Sequence, residues 1–218
     1  MENQSLNADS CARCGKRTAL CVCTGIEPFA NRIQLVILQH PQEQDADLGT
    51  ASLAALHLKS AVVKVGLSWP NLGKVLGRTA DAKNWAVLYL GPARGVAGRD
   101  VTVVDKRGEP LPDQDASLRG IEGLIVLDGT WSQAKTLWWR NAWLLKCRRI
   151  VLTPKAPSLY GKLRKQPRRE GLSTLEASAR ALSVLERNAT LEPAMLATFS
   201  RLLASFRAAQ PLANNTGR

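Results

Sequence analysis

The chain has 218 residues, 45% of them hydrophobic, and carries 30 basic against 18 acidic side chains, a formal net charge of +12. This composition allows a sizeable core, and it excludes both a disordered tail and a miniprotein that depends on disulfides. A soluble protein this basic usually binds a polyanion, most often nucleic acid. A basic surface that serves solubility alone is the alternative.

Membrane and export functions have no support in the sequence. No apolar run approaches the roughly 20 residues that span a bilayer, and the polar first residues lack the apolar stretch of a signal peptide. We therefore expect a cytoplasmic protein without a membrane partner, in which thiols stay reduced. No protein partner is implied.

Four of the five cysteines lie within thirteen residues, in the pattern C-x2-C-x6-C-x-C formed by Cys11, Cys14, Cys21 and Cys23. Four thiolates can close a tetrahedral shell around zinc, and the six-residue loop lets one pair fold back on the other. Residues 1–28 are thus predicted to form a structural zinc segment without a catalytic role. Four reduced cysteines without metal are the alternative, and the distant Cys147 is not expected to be a ligand.

From residue 29 onward, short apolar runs alternate with amphipathic stretches. The predicted strands are Ile33–Leu38, Ala61–Val65, Trp85–Leu90, Val101–Val104, Leu124–Leu127 and Arg149–Leu152. The predicted helices are Thr50–Leu58, Trp131–Leu145, Leu175–Arg187 and Pro193–Ala208. Strands this apolar are buried on both faces, which is typical of an α/β domain with a mainly parallel sheet. We place this domain at residues 29–210, followed by a tail at 211–218.

In such sheets, ligands bind at the carboxyl ends of strands, where loops lead into helix N-termini. Three such places stand out, and none resembles a dinucleotide or P-loop motif. The first place consists of Leu90, Gly91 and Pro92. The second runs from Leu127 to Trp131 and includes Asp128, Gly129 and Thr130. The third contains Leu172, Ser173, Thr174 and Glu176.

Asp128 directly follows an apolar strand and could accept a proton, hold a ribose or cap the next helix. Thr130 is the better cap, because Gln133 three residues later completes a capping box, and this leaves Asp128 for a ligand. Ser173 and Glu176 form a second capping box, which can explain both residues without a binding role.

The helix that begins at Trp131 holds four of the six tryptophans. Helical spacing places Trp131, Ala134, Trp138, Ala142 and Leu145 on one face, which we expect to be core. Trp139 and Trp143 lie to one side, as core or as exposed stacking surfaces, and core is favoured. In the next helix, the predicted buried stripe is Leu175, Ala179, Leu182 and Leu185.

Between residues 146 and 169 the sequence has nine Lys or Arg side chains and no acidic one. A solvated face normally mixes both signs, so this segment is predicted to bind RNA phosphates. Its densest group is Lys162, Arg164, Lys165, Arg168 and Arg169. Tyr160 is the single aromatic residue there, so stacking by this segment is not indicated.

The cysteine pattern, the Gln-His-Pro segment 39–41, the Asp-Gly-Thr-Trp element 128–131 and the later LSTLEA segment together resemble the DTW-domain family, from about Cys11 to Arg187. The resemblance implies a tRNA-uridine aminocarboxypropyltransferase. S-adenosylmethionine would donate its 3-amino-3-carboxypropyl group to N3 of a uridine, in the variable loop for bacterial members, and release 5′-methylthioadenosine. It also implies kinship with SPOUT methyltransferases, whose sheet carries a C-terminal knot, and a role for Asp128 as base or as orienting group.

One departure from the family is clear. Many relatives carry a Thr-Asn-Thr-Gly-Arg-like segment after the His-Pro, where this chain has Asp47–Ala51. An arginine contact from that loop is therefore in doubt. Two other functions stay open: a SPOUT-type RNA methyltransferase that releases S-adenosylhomocysteine, and a zinc-ribbon RNA-binding protein without a catalytic activity.

Overall fold

The structure is a computed structural model that describes residues 9–154, 156–163 and 171–210. Within these residues there are six strands: β1 Gln34–Gln39, β2 Ala61–Val65, β3 Trp85–Leu88, β4 Val101–Val104, β5 Gly123–Asp128 and β6 Arg148–Leu152. The α-helices in the same part of the chain are α1 Ala51–Leu56, α2 Leu72–Leu76, α3 Gln114–Leu118, α4 Trp131–Arg140, α5 Thr174–Leu185 and α6 Leu191–Ala209.

The described strands form one sheet in the order β2-β1-β5-β3-β6-β4. All neighbours are parallel except β4, which runs antiparallel to β6 at the edge. The predicted α/β class with a mainly parallel sheet is therefore confirmed. The predicted strands are all found, two of them with the predicted ends and four with an end shifted by one or two residues. Helices α2 and α3 were not predicted.

Layers of helices cover both faces of the sheet, which explains why the strands are apolar on both sides. In β1, Leu35 and Ile37 pack in the larger core with α1, α5 and α6, while Val36 and Leu38 pack in the smaller core with α2 and α4. The stripe Leu175, Ala179, Leu182 and Leu185 is buried as predicted.

The N-terminal cysteine segment packs on the larger core. Cys14, Leu20, Cys23 and Ile26 are all buried there. A short 3-10 helix at Thr18–Leu20 lies against α6. The metal-binding candidate is thus built into the body of the domain. The predicted tail at 211–218 lies outside the described residues.

The prediction of a helix over Trp131–Leu145 is wrong at the C-terminal end, because α4 ends at Arg140. Asn141 terminates it: its side-chain amide donates to the carbonyls of Leu137 and Leu67 and accepts from the Trp69 N–H. A 3-10 helix at Ala142–Lys146 follows.

The end of α4 also changes the predicted core. Ala142 and Leu145 are exposed, so their assignment to the core was wrong. Trp143 is buried, but Trp139 is 77% exposed, which contradicts the favoured core position. Ala142 and Leu145 lie beyond Asn141, where the helical spacing on which the prediction rested no longer holds. Trp139 lies within α4 but on the side roughly opposite the buried Ala134 and Leu137.

None of the helices in the described ranges is both long enough and apolar enough to cross a membrane.

Candidate functional site

The three predicted ligand-binding places come together around one cavity of about 470 Å³ at the carboxyl ends of β3, β5 and β6. Of the predicted residues, its lining includes Leu90, Gly91, Leu127, Asp128, Gly129, Thr130, Trp131, Leu172, Ser173 and Thr174. Pro92 and Glu176 are described by the structure but do not belong to the lining. Cavities of this size hold small organic ligands.

Asp128 is the last residue of β5 and is almost fully buried in the cavity wall. Its Oδ2 accepts a 2.8 Å hydrogen bond from Nε2 of Gln39, and its Oδ1 accepts one from the Thr174 hydroxyl. Asp128 does not cap α4, because Thr130 does so together with Gln133. From the sequence, we expected the Asp128 carboxylate to be left for a ligand. In the structure it accepts hydrogen bonds from Gln39 and Thr174, which fix its orientation.

Gln39 was not predicted as a site residue. It is the last residue of β1 and pairs in register with Asp128 of β5, so both side chains leave the sheet at the same height. Gln39 belongs to the Gln-His-Pro segment, one of the motifs that carried the family resemblance. The adjacency of β1 and β5, however, joins positions 89 residues apart and cannot be deduced from periodicity.

Gly129 lets the chain turn sharply from β5 into α4. A Cβ at this position would lie 2.8 Å from Cβ of Gln133, which is closer than real side chains approach. The turn places the N-terminus of α4 at the cavity, and the N-terminus of α5 at Thr174 also meets it. Two helix N-termini give a cavity wall that favours a carboxylate or other anion.

The second capping box has a further structural role. Glu176 accepts from the Ser173 N–H at the start of α5, from the Ser158 hydroxyl at 2.6 Å and from the Leu159 N–H at 2.7 Å. Its carboxylate thus ties the loop after β6 to α5. The adjacent Tyr160 lines the cavity, and its hydroxyl donates to the Leu48 carbonyl.

The four clustered cysteines are close enough to share one metal ion. Their Sγ atoms all lie within 4.8 Å of one another, and those of Cys14 and Cys21 are 4.0 Å apart. Tetrahedral zinc with Zn–S bonds near 2.3 Å needs sulfur atoms ~3.8 Å apart, so the arrangement fits zinc. Cys147 is buried elsewhere, and burial raises its pKa to about 12.

The thiols of the cluster differ in their surroundings. Hydrogen bonds from the backbone at Cys14 and Arg13 lower the pKa of Cys11 to about 6. Burial raises the pKa of the Cys14 and Cys23 thiols. A cation would offset the cost of ionising these two buried thiols.

Lys16 connects the cysteine segment with the loop that precedes α1. Its buried Nζ donates to the carbonyls of Ala46 and Asp47, at 3.3 and 2.8 Å. Burial lowers its pKa, against the opposing effect of Cys14, Asp47 and Asp128. Arg17 pairs with the Asp47 carboxylate at 2.6 Å. Basic side chains of the cysteine segment therefore hold the start of the segment Asp47–Ala51.

The predicted phosphate-binding group is described in part. Lys162 is exposed. Arg164, Lys165, Arg168 and Arg169 lie outside the described residues.

Comparisons with known proteins agree on one family. The DTW domain family matches residues 8–207. The chain is also similar to proteins named tRNA-uridine aminocarboxypropyltransferase 2, with 30% identity over 195 residues in Macaca fascicularis, 30% over 190 in Mus musculus and 34% over 184 in Drosophila melanogaster. The matches cover 85%, 85% and 82% of this chain but 59%, 59% and 67% of those proteins. No solved structure matches the chain.

Proposed function

The chain belongs to the DTW domain family, and on that premise we propose that it transfers the 3-amino-3-carboxypropyl group of S-adenosylmethionine to N3 of a uridine in tRNA. The products are 3-(3-amino-3-carboxypropyl)uridine and 5′-methylthioadenosine. The observation that carries the proposal is the meeting of Asp128 with two helix N-termini in one ligand-sized cavity. The similarity to relatives named as aminocarboxypropyltransferases supports the reaction.

The residues present fit the donor. The cavity has an apolar part formed by Leu90, Leu127 and Leu152, which suits an adenine ring. The N-termini of α4 and α5 offer backbone N–H groups and positive dipole ends for the donor's α-carboxylate. The donor supplies a carbon already activated by its positive sulfur, so the protein needs no metal at the reacting centre.

The chemical step requires orientation and the removal of one proton. A bond forms between uridine N3 and the γ-carbon of the propyl chain, while the bond from that carbon to sulfur breaks and its electron pair stays on sulfur. The protein must present the γ-carbon rather than the methyl group to N3. The N3 proton is weakly acidic, and Asp128 is the group we propose to accept it.

Gln39 and Thr174 fix the Asp128 carboxylate from two sides. A carboxylate held in this way can act as a base at a defined place or orient the uridine through a hydrogen bond. The pH dependence of an Asp128 variant separates the two roles.

The remaining parts of the proposal concern metal, RNA and fold. Zinc bound by Cys11, Cys14, Cys21 and Cys23 has a structural role, because four protein ligands leave no open position. The basic segment with Lys162, Arg164, Lys165, Arg168 and Arg169 contacts tRNA phosphates. We further propose the variable-loop uridine as the target and a SPOUT-like fold.

Mass spectrometry of tRNA nucleosides tests the reaction. Unmodified tRNA is incubated with the protein and S-adenosylmethionine, and both the nucleosides and the small-molecule by-product are measured. We expect aminocarboxypropyluridine and an equal amount of 5′-methylthioadenosine. Methylated nucleoside with S-adenosylhomocysteine would instead identify a methyltransferase. RNA binding without S-adenosylmethionine binding in calorimetry would identify a zinc-ribbon RNA-binding protein.

A further inference from the structure

A surface of aromatic and cationic side chains begins at the cavity and extends over α4. It consists of Tyr89, Trp131, Lys135, Trp138, Trp139 and Arg149, which we call the α4 surface. Tyr89 and Trp131 also line the cavity, so the surface is continuous with the candidate active site.

Aromatic rings and cations alternate in this surface. Nζ of Lys135 lies 5.7 Å from the centre of the Trp131 ring. The Arg149 guanidinium lies 5.2 Å from the Tyr89 ring and 5.7 Å from the Trp138 ring, and these two rings contact each other edge to face. The rings are therefore held in place by cation–π and aromatic contacts.

Two side chains of the α4 surface extend into solvent. Trp139 is 77% exposed, although the burial of so large an apolar side chain would favour the folded state. Lys135 is exposed as well, so the outer part of the surface offers both a flat ring and a positive charge to solvent. Both observations point to a partner that brings flat rings and negative charge.

Single-stranded RNA has this combination of properties. Bases stack on exposed aromatic rings, and phosphates pair with lysine and arginine. The sequence of α4, WSQAKTLWWR, has two basic and no acidic residues, so a polyanion is not repelled. From Trp131 to Trp139 the helix rises ~12 Å, which matches about three nucleotide steps of a stacked strand.

We propose that the α4 surface binds the unpaired RNA strand next to the target uridine, with a base stacked on Trp139 and a phosphate near Lys135. This inference rests on the proposed function, because the strand is placed so that the target uridine reaches the cavity. It assigns base stacking to α4, whereas the basic segment after β6 would contact phosphates.

The test measures binding of three RNA probes in the absence of S-adenosylmethionine: unmodified tRNA, a short oligouridine and an RNA duplex of the same length. The variants are Trp139→Ala, Trp139→Phe and Lys135→Ala. The controls are Leu145→Ala and Lys59→Ala, which remove an exposed apolar and an exposed basic side chain before strands β6 and β2, at the opposite end of the sheet from the cavity. Circular dichroism checks that each variant is folded.

We expect Trp139→Ala to weaken binding of oligouridine and tRNA by about 5- to 100-fold, the range for one lost stacking contact. Trp139→Phe should keep most of the affinity, and duplex binding should change little. Lys135→Ala should lower the slope of log affinity against log salt by about one unit. Both controls should behave like the wild type.

Three outcomes would overturn the inference. These are wild-type affinity of Trp139→Ala for oligouridine, an equal loss for oligouridine and duplex, or a wild-type dimer in sedimentation that becomes a monomer in Trp139→Ala. The last would show that a second copy covers this surface. Because binding is measured without the donor, a failure here leaves the transfer reaction standing, and a protein that transfers nothing can still pass this test.

Discussion

Nε2 of Gln39 donates to Oδ2 of Asp128 at 2.8 Å, and the two residues are partners in register at the ends of the adjacent parallel strands β1 and β5. The Gln-His-Pro and Asp-Gly-Thr-Trp segments therefore meet in one site. His40 strengthens this junction, because its backbone N–H donates to the Asp128 carbonyl at 2.9 Å. One strand thus supplies the carboxylate and its neighbour supplies a donor that orients it.

Replacing Gln39 by Leu should lower the transfer rate without unfolding the protein. The substitution removes one donor to a buried charge, and such hydrogen bonds contribute about 1.5–3 kcal/mol, or roughly a 10- to 100-fold loss. Single-turnover kinetics give the measurement. Gln34→Leu at the other end of β1 is the matched control, and an equal loss in both variants would contradict a positioning role for Gln39.

Asp128→Asn should keep the fold, because the two side chains have nearly the same shape. We expect the transfer rate to fall by ~10²–10⁴-fold, the usual effect of a lost general base. If Asp128 accepts the N3 proton, raising the pH should restore part of the rate, because N3 then ionises without help.

The affinities of the same Asn variant complete this experiment. A loss that persists at every pH, with weaker S-adenosylmethionine or tRNA binding, would show that Asp128 orients a ligand. Near-normal transfer with normal affinities would make Asp128 a structural residue and contradict both roles.

The sequence predicted local features of the site well and its long-range features poorly. Both capping boxes and the strand end at Asp128 follow from neighbouring residues, and all are found. Gln39 was missed because strand order joins distant positions. Trp139 was wrongly favoured as core, because it lies on the side of α4 roughly opposite the buried Ala134 and Leu137. The end of α4 at Asn141 could not be predicted, because the contacts of Asn141 come from residues 67–69.

Replacing Cys11 and Cys14 by Ser should abolish zinc binding. Two of the four ligands are lost, and the core around Leu20 and Ile26 depends on the segment that the metal closes. Metal analysis should show about one zinc per wild-type chain and none in the double variant, together with local unfolding. Cys147→Ser should retain the metal. Full zinc retention in the double variant would contradict the ligand assignment.

Replacing Arg164, Lys165, Arg168 and Arg169 by Ala should weaken tRNA binding and reduce its salt dependence. Each lost phosphate contact should lower the slope of log affinity against log salt by about one unit. S-adenosylmethionine affinity in calorimetry should change little. An unaltered salt slope would show that the segment has a structural role instead.

His57 should make folding stability fall in mild acid. The residue is 4% exposed, its Nε2 lies 3.0 Å from Oγ1 of Thr198, and burial together with the charge of Arg201 lowers its pKa to about 4. In the unfolded chain the pKa is about 6.5. Between these values the unfolded state binds more protons than the folded state, so stability decreases as the pH falls from 6.5 towards 4.

Urea unfolding of the wild type and of His57→Gln measures this contribution. Gln can still hydrogen-bond to Thr198 but does not titrate. Between pH 8 and pH 5, the free energy of unfolding of the wild type should fall by about 2 kcal/mol more than that of His57→Gln. This amount follows from the two pKa values of His57 in the folded and unfolded states. Parallel pH profiles of the two proteins would show that His57 is protonated in the folded state at its ordinary pKa, in conflict with its burial beside Arg201.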